Sequence, residues 1–77
     1  MTAFFEGVTD WQAIVGANVR RARQAGGLTQ EQLALDAQID LTYAGGIERG
    51  RRNPSIKVLA RIADALGVEP SDLLKRG

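Results

Sequence analysis

The sequence predicts an all-α fold of five short helices. Apolar residues recur at the 3.6-residue helical spacing, Asp, Thr or Ser stands ahead of most periodic stretches, and no stretch alternates with period two long enough to make a strand. Thr9-Asp10 precedes the first helix, whose apolar positions are Trp11, Ile14, Val15, Val19 and Ala22 and whose stop is Gly26-Gly27. Thr29-Gln30-Glu31-Gln32 opens the second as a capping box, and Leu33, Ala34 and Ala37 give it an apolar stripe. Asp40 caps a third helix from Leu41 to Arg49, ended by Gly50. Ser55 caps a fourth, Ile56 to Leu66, with Val58, Leu59, Ile62, Ala63 and Leu66 strongly periodic and Gly67 closing it. Pro70 suits the first turn of a fifth containing Leu73 and Leu74. Residues 1–8 read as an N-terminal arm and residues 9–77 as one domain.

Seventy-seven residues make one small domain. A chain of that length buries only about 60% of its unfolded surface, so association is the natural source of extra stability and a homodimer is expected. With no cysteine and no histidine, disulfides, thiolate chemistry and the commonest metal ligands and general bases are excluded. The serines, Ser55 and Ser71, and the scattered carboxylates form no constellation, so the chain reads as no enzyme, with no metal and no cofactor. No apolar run approaches the ~18 residues of a membrane span, and the N-terminus has no basic stretch ahead of its apolar one. The expected location is the cytoplasm, with no membrane partner.

The net charge of +1 is unremarkable, but its distribution is not. Arg20, Arg21 and Arg23 form one cluster, and Arg49, Arg51, Arg52, Lys57 and Arg61 another, with no acid inside 20–23 or 49–61. Taken alone, such runs are as readily solvated helix faces as binding surfaces. Between them, Thr29 to Gly50 has the spacing of two short helices joined by a turn over Ala37 to Asp40, the geometry in which a second helix enters the DNA major groove. Two helices and a turn are also common structural filler, so spacing leaves both readings open.

The words along the chain narrow the choice. Val15-Gly16-Ala17-Asn18-Val19-Arg20, Leu28-Thr29-Gln30-Glu31-Gln32-Leu33-Ala34, Ile47-Glu48-Arg49-Gly50, Asn53-Pro54-Ser55 and Ala65-Leu66-Gly67-Val68 fall in the order and spacing of a known family. Over residues 14 to 75 the chain resembles the Cro-repressor-type helix-turn-helix (xenobiotic-response-element) transcriptional regulators. Asp40-Leu41-Thr42-Tyr43, Gly46-Ile47-Glu48-Arg49-Gly50 and Arg52-Asn53 also resemble the controller proteins of restriction–modification systems. The resemblance implies a five-helix lambda-repressor-like domain with its helix-turn-helix at 28–53, whose recognition helix, 41–49, lies in the major groove of double-stranded DNA.

The resemblance also implies roles for individual residues. Gln30, at a helix N-terminus, would contact phosphate. Glu48 would pair with Arg23 and hold two helices together. Arg49, Arg51, Arg52 and Asn53 would meet the sugar–phosphate backbone, with Arg20 reaching it from the first helix. Leu41, Thr42, Tyr43 and Gly46 would face the bases.

Here the chain departs from its relatives. Leu41 cannot make the bidentate guanine contact of an arginine, though it can touch a thymine methyl. Ala44 replaces a large apolar residue, Gln38 a turn glycine, and Gly45 and Gly46 each cost a helix about 1 kcal/mol relative to alanine. The expectation is a loosely packed reading head whose sequence choice depends on DNA shape and deformability rather than on base-edge contacts.

One copy would read only about four base pairs, so a two-fold dimer on a palindromic operator is expected, its contact made by Val68, Leu73 and Leu74 as the resemblance implies. Phe4, Phe5 and Trp11 offer a second apolar patch, which could equally cap the first helix. No ligand domain is expected, so switching would follow concentration. The competing reading from another class is an antitoxin or interaction module whose DNA binding is secondary.

Overall fold

The computed structural model describes residues 9–76. The candidate patch residues Phe4 and Phe5, with the rest of the arm 1–8, lie outside them. Among the described residues there are four α-helices and one 3-10 turn: α1 (Trp11–Ala25), α2 (Gln30–Ala37), α3 (Leu41–Glu48), α4 (Ile56–Leu66) and the turn Pro70–Leu74.

Each α-helix starts where a short polar side chain replaces a missing backbone acceptor. Asp10 Oδ1 accepts the Ala13 N–H at 3.0 Å, Asp40 Oδ1 that of Tyr43 at 2.8 Å, and Ser55 Oγ that of Val58 at 3.1 Å. At α2 the bonds are reciprocal: Thr29 Oγ1 accepts from the Gln32 N–H, and Gln32 Oε1 accepts from the Thr29 N–H.

The expected fifth helix is instead the 3-10 turn. Five residues are too few to nucleate a stable α-helix. Asp72 closes the turn by accepting the Glu69 N–H at 3.0 Å, and the backbone is extended again at Lys75. The Lys75 ammonium, 2.9 Å from Asp72, and that N–H together hold the Asp72 carboxyl below the usual aspartate range.

α1 packs on α3, α4 and the 3-10 turn, while α2 packs on α3 and α4. The core they enclose is Val15, Val19, Leu33, Ala37, Ile47, Leu59, Ile62, Ala63 and Leu73. Ala44, which stands where a larger apolar residue was expected, is buried too.

The backbones of α1 and the end of α3 approach closely at Gly16. A Cβ on Gly16 would stand 2.7 Å from the Glu48 carbonyl oxygen and nearer still to that of Ile47, so only glycine lets the helices meet this way.

The buried Asn18 ties the chain's end down. Its amide donates to the carbonyls of Leu73 (2.9 Å) and Lys75 (2.8 Å), and its Oδ1 accepts from Arg21 (2.8 Å). Farther along, Arg76 donates to Thr9 Oγ1 and lies over the Trp11 ring, 5.1 Å from its centroid.

Candidate nucleic-acid interface

The turn between α2 and α3 has a left-handed residue that is not glycine. Gln38 takes φ 61°, ψ 44°, and the next N–H, of Ile39, returns to the Ala34 carbonyl at 2.9 Å. Arg61 covers two further carbonyls there, Nε on Ala37 at 3.0 Å and Nη2 on Gln38 at 3.3 Å. That arginine of the second basic cluster therefore caps a helix.

The first cluster divides three ways. Arg20 is exposed, Arg21 is bonded to Asn18, and Arg23 is drawn inward to the end of α3. Arg23 grips Glu48 with both edges of its fork, Nε–Oε2 at 2.6 Å and Nη2–Oε1 at 3.0 Å, while Nη1 donates to the Leu28 carbonyl at 2.9 Å. The two side chains are 13% and 3% exposed, so this is a mostly desolvated pair whose hydrogen-bonding groups are matched. The hydrogen bond to Glu48 raises the Arg23 pKa above its already high ordinary value; burial opposes this and the charge of Glu48 adds to it. The pair's contribution is thus fully present below the ordinary arginine value, and on the arginine side is lost only in strong alkali.

Gln30 joins the same network, its amide donating to Glu48 Oε1 at 3.1 Å. One carboxylate thereby ties together the last turn of α1, the start of α2 and the end of α3.

Beyond Glu48 the recognition helix is already over. Arg49, expected to be its last residue, is the C-cap. Arg49 is exposed, and with Arg20, Arg21 and Gln24 it lines one open depression between α1 and the end of α3. Arg51 and Arg52 are exposed after Gly50, and the Arg51 N–H returns to the Gly46 carbonyl at 2.9 Å. Asn53 is exposed and lines a separate depression with Thr9, Asp10, Trp11 and Gln12.

On α3 itself Leu41 and Thr42 are exposed, and Tyr43 is half-buried against the core. Gly46, expected to face the bases, is buried beneath Arg52. The Arg52 guanidinium lies over the Tyr43 ring, 5.7 Å from its centroid. Gly45 is likewise covered, by Arg49 and Gln30.

Of the three residues expected at a dimer contact, Leu73 has to be removed. It is 1% exposed and belongs to the core of its own chain, because the 3-10 turn directs it inward. Val68 is half-buried against that core, and Leu74, at 45%, is the open one.

Leu74 shares an apolar groove with Trp11, Val15, Pro54, Ile56 and Leu59. Ile56 is 84% exposed and sequence reasoning passed over it. The available signal was its place at the first helical position, a turn ahead of Leu59, where a core-facing residue overhangs the core.

Comparison with known proteins accords with this geometry. The helix-turn-helix family matches residues 19–73. The helix-turn-helix-type transcriptional regulator y4dJ of Sinorhizobium fredii is 40% identical over 65 residues, which is 84% of each chain. The control protein C.BamHI of Bacillus amyloliquefaciens is 42% identical over 62 residues, 79% of this chain and 76% of its own. The crystal structure of the restriction–modification controller protein C.AhdI from Aeromonas hydrophila superposes with a TM-score of 0.78 at 42% identity, covering 80% of this chain and 94% of its own. With a family match over residues 19–73 and about 40% identity to regulators of similar length, the chain belongs to the Cro-type helix-turn-helix family of DNA-binding transcriptional regulators.

Proposed function

We propose that this regulator binds a palindromic operator as a homodimer, each copy laying α3 in the major groove, and that it acts in the cytoplasm as the autoregulatory controller of a restriction–modification system. The observation that carries the reading is the disposition of charge around α3. Its outer face is open at Leu41 and Thr42, while Arg49, Arg51 and Arg52 stand exposed at its end and Arg20 faces it from α1. Those arginines take phosphates and fix the docking register; the short face between them meets the bases. Leu41 packs against a thymine methyl, Thr42 bonds a base or phosphate, and Tyr43 reaches sugar or phosphate. With so few hydrogen-bonding groups there, DNA deformability supplies much of the sequence choice. The groove of Trp11, Ile56 and Leu74 takes the second copy.

The test is binding to the DNA immediately upstream of the protein's own coding sequence, across a salt series. Four phosphate-binding arginines on each of two copies imply a log–log slope of about −7, with two-fold-symmetric protection of an inverted repeat and a dimer in sedimentation. Salt-independent binding would contradict the arginine assignment. A stoichiometric foreign protein seated on the apolar groove would favour the interaction-module reading instead.

A further inference from the structure

Gly45 and Gly46 look like a weakness in α3, since two adjacent glycines are the poorest choice for a helix apart from proline. Both are nevertheless buried, Gly46 beneath Arg52 and Gly45 beneath Arg49 and Gln30. A Cβ on Gly46 would stand 2.7 Å from Arg52 Cγ, 3.1 Å from its Nε and 3.5 Å from its Cδ. The Arg52 stem therefore lies in the hollow that a side chain at position 46 would fill, and from there its guanidinium reaches the face of Tyr43. A Cβ on Gly45 would stand 3.0 Å from Arg49 Nη1 and 3.4 Å from Gln30 Oε1.

We propose that Gly45 and Gly46 are positioning residues: they form two seats that hold Arg49 and Arg52 flat against the recognition helix, ready for the DNA backbone. The proposal rests on the reading of these arginines as phosphate ligands. An arginine loses much rotamer freedom when fixed on a ligand. A side chain already lodged on its own helix loses less on binding, so the seats raise affinity by preorganisation and not by new contacts. The two glycines thus exchange helix stability for placement of charge.

Gly46→Ala and Gly45→Ala are measured for binding to a mixed-sequence DNA duplex at low salt, where phosphate contacts dominate. Each variant is made alone and with Arg52→Ala or Arg49→Ala, respectively. Gly46→Ala should weaken binding about tenfold, an immobilised-side-chain effect, and Gly45→Ala by less, because only the tip of Arg49 is displaced. Neither should weaken binding further once its arginine is gone. Both variants should melt no lower than the wild type, since alanine favours the helix, which separates the loss from unfolding.

Equal losses in both backgrounds would show that the glycines matter for their own closeness to DNA, and would overturn the proposal. So would glycine variants that bind like the wild type. Wild-type protein with no salt-dependent affinity for the duplex would instead overturn the underlying phosphate reading. Should Gly46→Ala not fold, the Gly45→Ala and Arg49→Ala cycle decides by the same criteria.

Discussion

The two faces of α3 are built on opposite principles. Its inner face and C-terminal end are tightly constrained: Ile47 is in the core, Glu48 is held by Arg23 and Gln30, and Gly16 admits the backbone with no room to spare. Its outer face carries two exposed side chains, Leu41 and Thr42, and two glycines covered by arginines from beyond its end. With Thr, Tyr and a Gly pair in eight residues, α3 is a poor helix by composition, and it is helical here through the constraints on one side of it. A face freed from carrying stability can be committed to binding.

That contrast can be tested by loading each face in turn. The largest effect is expected at the seam: Gly16→Ala drives a methyl into two backbone carbonyls that have nowhere to go, and should cost about 3 kcal/mol in urea unfolding. Next comes Glu48→Gln, which leaves the Arg23 guanidinium largely desolvated without its counter-charge; a loss of about 2 kcal/mol is expected. An unfolding curve indistinguishable from wild type would remove the network from its anchoring role.

Gln38→Gly acts at the joint between α2 and α3. It should stabilise by about 1 kcal/mol, because glycine holds a positive φ without the penalty glutamine meets, and Gly67 takes nearly the same conformation at the end of α4. The smallest change belongs to the outer face. Thr42→Ala should move the unfolding midpoint by less than about 0.5 kcal/mol. If its effect on stability matched that of Glu48→Gln, the division between the faces would fail.

What could be read in the residues alone follows the same division between local and distant. Asp10, Thr29, Asp40 and Ser55 bond to N–H groups three residues ahead, so their capping was legible, as were the apolar stripes and the family's words. The fate of each arginine was not. Arg20, Arg21, Arg23 and Arg61 are alike in sequence, and partners as distant as 25 residues decide which of them faces solvent. Leu73 went astray because its role was carried over from a family whose fifth helix is α-helical, whereas here the segment turns every three residues and directs Leu73 into the core. Gly46 did so because the side chain covering it comes from six residues downstream, where no periodicity points back.

Asn18 has a consequence for how two copies would meet. By clasping the carbonyls on both sides of Leu74, it fixes one wall of the apolar groove to α1 before any partner arrives. Segments near a chain's end commonly have to be ordered as they associate, and that lost freedom is subtracted from the affinity. Here two hydrogen bonds already hold that backbone to α1, so a second copy would dock on a surface largely formed beforehand. A pair formed this way would need less contact area to hold together.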